Sequence, residues 1–395
     1  MKNFVLIVFG QIISLFGNAA LRFALPLVLL RQSGSAALYG SVTALAMLPA
    51  LAGMLAGGAL ADRCRKARLM ALLDLLTTGL SVFAACGITH LPLLPLTLGG
   101  LYAIQGLYQP VVRASLPLVL EDRQLVRGNA VIQLVDTVDE LLGPLLGSLL
   151  LEACGIRGLL LLCGGCFAAS AGLELCIRIP RDLPGDAPLS LSGILADLRD
   201  STRYLTGQPA LLQLAATMAA VNLLEIPALT VGIPVLVVQF LHKSDAALGL
   251  AQAVLSAGGI LGGVLAGTWF TRHPFRSGLP LLSGIGGVCA AMGLVLLVPP
   301  LAFGGLLALG FAVMAAAMLF NVWFFTQLQQ RVPQAQLGRV TACLTVLACL
   351  TQPLGQAAYG VLFQYWVTNP AVILLGAGTL SALVLSLLAA QAPSL

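Results

Sequence analysis

Long apolar stretches alternate with short polar breaks along the chain, at 4–30, 38–61, 69–89, 92–117, 128–153, 157–178, 209–240, 246–271, 277–297, 300–327, 338–366 and 371–391. Each reaches the roughly 20 residues that a helix needs to cross a hydrocarbon core. The pattern predicts an all-α polytopic membrane protein of twelve transmembrane helices, the ninth and tenth separated mainly by Pro299-Pro300. Several helices carry a polar stripe. Gln11, Ser14, Asn18 and Arg22 mark the first, Tyr102, Gln105, Gln109 and Arg113 the fourth, Asn129, Gln133, Asp136 and Glu140 the fifth, and Thr345, Cys349, Gln352 and Gln356 the eleventh. Spacings of three and four residues keep each set on one side of its helix. Such stripes either line a hydrated path or bond helix to helix.

Ionisable residues within the spans decide between the two. Arg22, Asp74, Arg113, Asp136, Asp139, Glu140 and Glu225 all fall inside apolar runs. A charge near the bilayer centre costs roughly 2.5 to 3.5 kcal/mol on insertion scales, so these residues must face protein or water. A polar interior in a membrane points to transport. Composition agrees: 59% of residues are hydrophobic, only 9% are charged, and the mean hydropathy is +0.99, far from a soluble domain.

The basic residues set the orientation. With both termini cytoplasmic, the inner loops hold Lys2, Arg63, Arg65, Lys66, Arg68, Arg123, Arg127, Arg178, Arg181, Arg199, Arg203, Arg272, Arg276, Arg331 and Arg339, while the outer loops hold Arg31, Arg157 and Lys243. This positive-inside bias supports the even helix count, and a bacterial cytoplasmic membrane is the expected location. The net charge of +5 then belongs to a basic cytoplasmic face, and no nucleic-acid partner is expected. The first apolar run continues to Leu30, past the core of a secretory signal, and is expected to stay attached. The nine cysteines lie mostly within spans without metal-ligand spacing, so no metal or cofactor is expected.

Two halves are visible, 1–178 and 209–395, joined by a linker at 179–208 in which Leu191, Ile194, Leu195, Leu198 and Leu205 recur at the spacing of an interfacial amphipathic helix. GGALAD at 57–62 is echoed by GGVLAG at 262–267, and Gly143-Pro144 by Gln352-Pro353. Duplicated six-helix halves with a central site are a common transporter plan.

Gly57-Gly58-Ala59-Leu60-Ala61-Asp62-Arg63-Cys64-Arg65-Lys66 resembles the loop signature of the major facilitator superfamily, with Cys64 where many members have glycine. YQPVVRASLPLVL in the fourth helix and FNVWFFTQLQQRVPQAQLGRV from the tenth into the eleventh resemble the branch that holds macrolide-efflux pumps and the enterobactin exporter. The likeness covers nearly the whole chain. It implies two pseudo-symmetric halves working by alternating access. Gly58, Asp62, Arg63, Asp74 and Arg113 are the candidate cytoplasmic gate, where Asp62 can pair with an arginine or a helix N-terminus; loop basics that only fix topology are the simpler alternative. Leu142-Gly143-Pro144-Leu145-Leu146-Gly147-Ser148 partly matches the superfamily's antiporter motif, which implies export. Physically, Gly143, Pro144 and Gly147 make a bendable, close-packing surface.

Asn18, Arg22, Gln105, Gln109, Asn222, Gln352 and Gln356 are the candidate substrate-cavity residues. The candidate proton-coupling acids are Glu140, Glu225, Asp139 and Asp136, since Asp139 and Glu140 lie about 11 residues, or roughly 16 Å, into the fifth helix, and a carboxylate taken out of water binds a proton more readily. The alternative is that Arg22 or Arg113 holds some of them in salt bridges, whereas Glu152 and Glu174 lie nearer helix ends and are expected to reach the interface. The reading is a monomeric secondary transporter that exports an amphipathic, macrolide-like small molecule in exchange for protons. A siderophore exporter or a lysolipid flippase is the alternative, because Arg22 suits an anion. No nucleotide loop, catalytic set or signalling module stands out, with His90, His242 and His273 in loops or at helix ends, so an enzyme, a primary pump and a sensor are disfavoured.

Overall fold

The computed structural model describes residues 2–87, 92–120, 122–177, 207–269, 279–332, 334–366 and 369–390. The expected interfacial helix of the linker, His90 and His273 lie outside the described residues, as do the side chains of Gly58, Asp62, Arg63, Asn129, Gln133, Glu140, Thr345 and Cys349.

Among the described residues the backbone forms twelve helices and no strand. They are α1 (Lys2–Ser33), α2 (Ala36–Arg63), α3 (Lys66–Cys86), α4 (Leu93–Val119), α5 and α6 as two limbs of Asp122–Leu175, α7 (Pro209–Phe240), α8 (Asp245–Trp269), α9 (Leu279–Leu296), α10 (Pro299–Arg331), α11 (Gln334–Tyr365) and α12 (Pro370–Ala390). Pro209, Pro299 and Pro370 each open a helix, where a missing N–H leaves no bond unmade. Gly34 beyond α1 and Gly155 between α5 and α6 have φ of 62° and 65°, a region that glycine enters without steric cost.

The chain packs as two compact units: Met1–Gly34, Leu45–Leu189 and Ser244–Ala253 form the first, and Ser35–Ala44, Ser190–Lys243 and Val254–Leu395 the second. α2 and α8 thus each belong to both. In the first unit, Ile7, Met70, Leu73, Tyr108, Val111 and Val112 build a buried core. Gly53 and Gly57 of α2 lie directly against the backbone of Ala103 and Leu107 in α4, with no room for a Cβ. In the second unit Gly258 and Gly262 of α8 meet Phe311 and Ala315 of α10 in the same way. Small residues that let helices touch are the usual means of packing in lipid, and the matched pairs extend the internal echo from sequence to contact.

α7 departs from regular winding. Val221–Glu225, Ala228–Gly232 and Leu236–Phe240 form π-helical turns, wider than α and frequent at functional sites.

Candidate functional site

In the first unit the polar stripes of α1, α4 and α5 come together. Arg22 of α1 lies with its guanidinium over the ring of Tyr102 in α4, 5.5 Å from the centroid, and its Nη2 stands 4.0 Å from Oδ2 of the buried Asp139 in α5. About three turns further along α4 and one turn back along α5, Nη2 of Arg113 is 4.0 Å from Asp136 Oδ2. The sequence left open whether these acids would be held by Arg22 and Arg113; the geometry pairs them in that order. Both separations are longer than a hydrogen bond. The arginines therefore keep donor capacity, and Arg113, with 65% of its side chain exposed, keeps most of it.

Gln105 and Gln109 continue the α4 stripe and are half-buried. Asn18 is buried and donates through Nδ2 to the Ser14 carbonyl at 3.3 Å. α5 reaches this belt because its glycines let it: Gly143 lies against Ala19, and Gly147 against Ala20, of α1. These are the glycines of the antiporter-like motif.

A second polar group in the same unit lies between α1, α3, α4 and α6. Asp74, a candidate gate residue, is 2% exposed and accepts from Ser14 Oγ at 2.8 Å. Ser170 Oγ donates to the Gly10 carbonyl at 2.9 Å. Tyr108 donates to Glu174 Oε1 at 2.5 Å. Glu174 is 1% exposed, which overturns the expectation that it reaches the interface. Closeness to a helix end is a poor guide here, because Gly10 lets α1 pass tightly over the site, with Ser170 Oγ and Glu174 Cγ next to the space a Cβ would fill. Tyr108 and Ser170 were not singled out in the sequence, and Glu174 was placed at the interface. The pair Ser170 and Glu174, four residues apart in an otherwise apolar helix, was the available signal.

Glu225 belongs to the second unit and is 2% exposed. Its carboxylate accepts from Ser381 Oγ of α12 and, at 3.1 Å, from Cys289 Sγ of α9. Tyr359 of α11 donates to the Leu224 carbonyl at 2.5 Å beside it. Asn222 turns back on its own helix, bonding Met218 O at 3.0 Å. Gln356 is buried and donates to Thr230 Oγ1 at 3.4 Å, while Gln352 is half-buried.

The model of the Major Facilitator Superfamily matches residues 7–356. The chain belongs to this superfamily. It is a family of transporters rather than enzymes, and its fold is that of the twelve-helix, multi-pass membrane protein described above. The enterobactin exporter EntS of Citrobacter koseri is 26% identical over 366 residues, covering 89% of this chain and 83% of that protein. The same exporter from Shigella boydii serotype 4 is 27% identical with equal coverage. Among solved superfamily structures, the nucleoside transporter NupG aligns with a TM-score of 0.77 at 14% identity over 99% of both chains. A bacterial homologue of the iron transporter ferroportin, in an inward-facing state, aligns with a TM-score of 0.70 at 14% identity, covering 98% of this chain and 99% of the other. At such identities these likenesses speak for the fold alone.

Proposed function

We propose that this superfamily member exports a siderophore-class small molecule across a bacterial cytoplasmic membrane, in exchange for protons and by alternating access. The observation that carries the reading is the belt of Arg22, Tyr102 and Arg113, two cations only loosely held by Asp139 and Asp136, with an aromatic ring beneath one of them. Guanidinium groups with spare donors recognise acidic oxygens, and a ring beside them accepts a flat substrate face. A purely lipophilic or cationic substrate would leave those donors without partners. The enterobactin exporters that match most of the chain favour the same class, so the siderophore alternative displaces the macrolide-like reading.

Gln105, Gln109 and Asn18 supply neutral donors and acceptors to the same substrate. Asp136, Asp139, Glu140 and Glu225 remain the coupling candidates. Glu225 differs from the two paired aspartates, because a hydroxyl and a thiol hold it, so it can take a proton without breaking an ion pair. Asp62 and Arg63 are proposed to latch the cytoplasmic side, the termini are placed in the cytoplasm, and the working unit is a monomer.

The test is secretion. In a siderophore-producing strain lacking its own exporter, expression of the chain should restore siderophore in the medium, and a protonophore should abolish the restored fraction. Protein present in the membrane without restored secretion would overturn the substrate class, and resistance to a macrolide panel in that strain would return the drug reading.

A further inference from the structure

We infer that Asp74 and Glu174 form a proton-binding site inside the first unit, linked through α1 to the residues proposed to hold substrate. This deepens the proton-exchange part of the proposed function and stands on a group of side chains apart from the arginine belt.

The two carboxylates are almost wholly enclosed, at 2% and 1% exposure. Each has one oxygen bonded, Asp74 to Ser14 and Glu174 to Tyr108. The other oxygen of each, Asp74 Oδ2 and Glu174 Oε2, is buried without a hydrogen-bond partner. An ionised carboxylate left this way is costly in a low-dielectric interior, whereas a protonated one supplies its own donor. Among the described residues, the titratable groups at the site are Asp74, which acts on Glu174, and Tyr108, on which both acids act. α1 brings Gly10, Gln11 and Ser14, and α6 brings Ser170 beside Glu174. Two enclosed carboxyls, each with an unbonded oxygen and with no cation paired to them among the described residues, make a place where a proton can be held.

A second feature lies on the same face of α1. Gln11, on the α1 face that carries Ser14, is fully buried, and neither its amide nitrogen nor its oxygen is hydrogen-bonded. Native interiors rarely leave such groups unpaired. Water entering along this face of α1 would satisfy the Gln11 amide, and water reaching the pair would satisfy the spare carboxyl oxygens. The connection to substrate runs along α1: Asn18 Nδ2 bonds the Ser14 carbonyl, and Ser14 Oγ bonds Asp74. A shift of α1 against α3 and α6 breaks the Ser14–Asp74 and Ser170–Gly10 bonds and changes the pair's hold on its proton.

The experiment is infrared difference spectroscopy of the full chain in lipid nanodiscs, titrated with pH and read at the protonated-carboxyl C=O stretch. Wild type should show a band that is lost as pH rises, and at least one of Glu174→Gln and Asp74→Asn should lose that component while the other shifts it. A band unchanged in both variants, or one that persists at every pH, would overturn the proposal. If either variant fails to give a monodisperse protein, Tyr108→Phe removes a single donor and should shift both the band and its titration midpoint; an unshifted band would likewise overturn it. The readout needs no substrate, so a failed siderophore assay leaves it intact.

Discussion

Arg22 rests on the ring of Tyr102 and stops 4.0 Å short of Asp139. A guanidinium held by a face and a distant carboxylate is preorganised but not consumed, since its planar fork still has donors to give. Arg22→Lys keeps the charge and loses both the stacking and the fork. Export by this variant should fall about tenfold, equivalent to about 1.4 kcal/mol, with unchanged protein level, as measured by initial rates in everted vesicles. A rate equal to wild type would remove Arg22 from the substrate site.

Arg113 and Asp136 separate the two substrate classes. Arg113 is largely exposed, so its pair with Asp136 contributes little to stability, about 0 to 1 kcal/mol before screening. Asp136→Asn should leave the melting temperature unchanged and release the arginine's charge. For an anionic substrate the half-saturating concentration should drop, most clearly at low salt. A cationic substrate would show the opposite sign in the same assay.

Gly147 predicts the cost of parting α1 from α5. A Cβ there would sit 2.9 Å from Ala20 Cα, so Gly147→Val should destabilise the protein by about 1 to 3 kcal/mol, seen as a lower melting temperature in detergent. Gly165→Ala is the control, because nothing lies within 4 Å of its added Cβ.

Glu225→Gln tests coupling apart from folding. The amide oxygen can still accept from Ser381, and its NH2 group takes the place of the oxygen that met Cys289, whose sulfur can turn to accept, so the variant should fold. If Glu225 carries the transported proton, uphill accumulation disappears while downhill exchange continues; Glu140→Gln should behave alike and Asp139→Asn more mildly. Uphill transport retained in all three would leave the coupling to Asp136 or to acids outside the stripe.

The twelve spans were legible because hydropathy and length act locally, and Pro299 and Gly155 mark breaks that the residues themselves announce. The stripes carrying Arg22, Tyr102, Arg113 and Asp136 could be read from i, i+3 and i, i+4 spacing, which fixes which side chains share a face of one helix; which acid stands opposite which arginine could not, because that depends on packing between helices. Nor was Glu174 legible. Its burial depends on Gly10, Tyr108 and Asp74, residues far apart in sequence that only packing unites, and depth along one helix says nothing about what covers it. The π-turns of α7 were equally hidden, because no residue pattern distinguishes i→i+5 from i→i+4 bonding in an apolar run.

One residue, Gly155, separates the limb that bears Asp139 from the limb that bears Glu174. Its φ of 65° and ψ of 174° lie where only glycine is at ease, and a connector this short stores no slack. Pulling α5 along its own axis must carry the near end of α6 with it. The carboxylate facing Arg22 and the carboxylate facing Tyr108 thus sit on two limbs tethered at a single residue, with Pro144 as the one place between Asp139 and that tether where the strain of a pull can be taken up by bending.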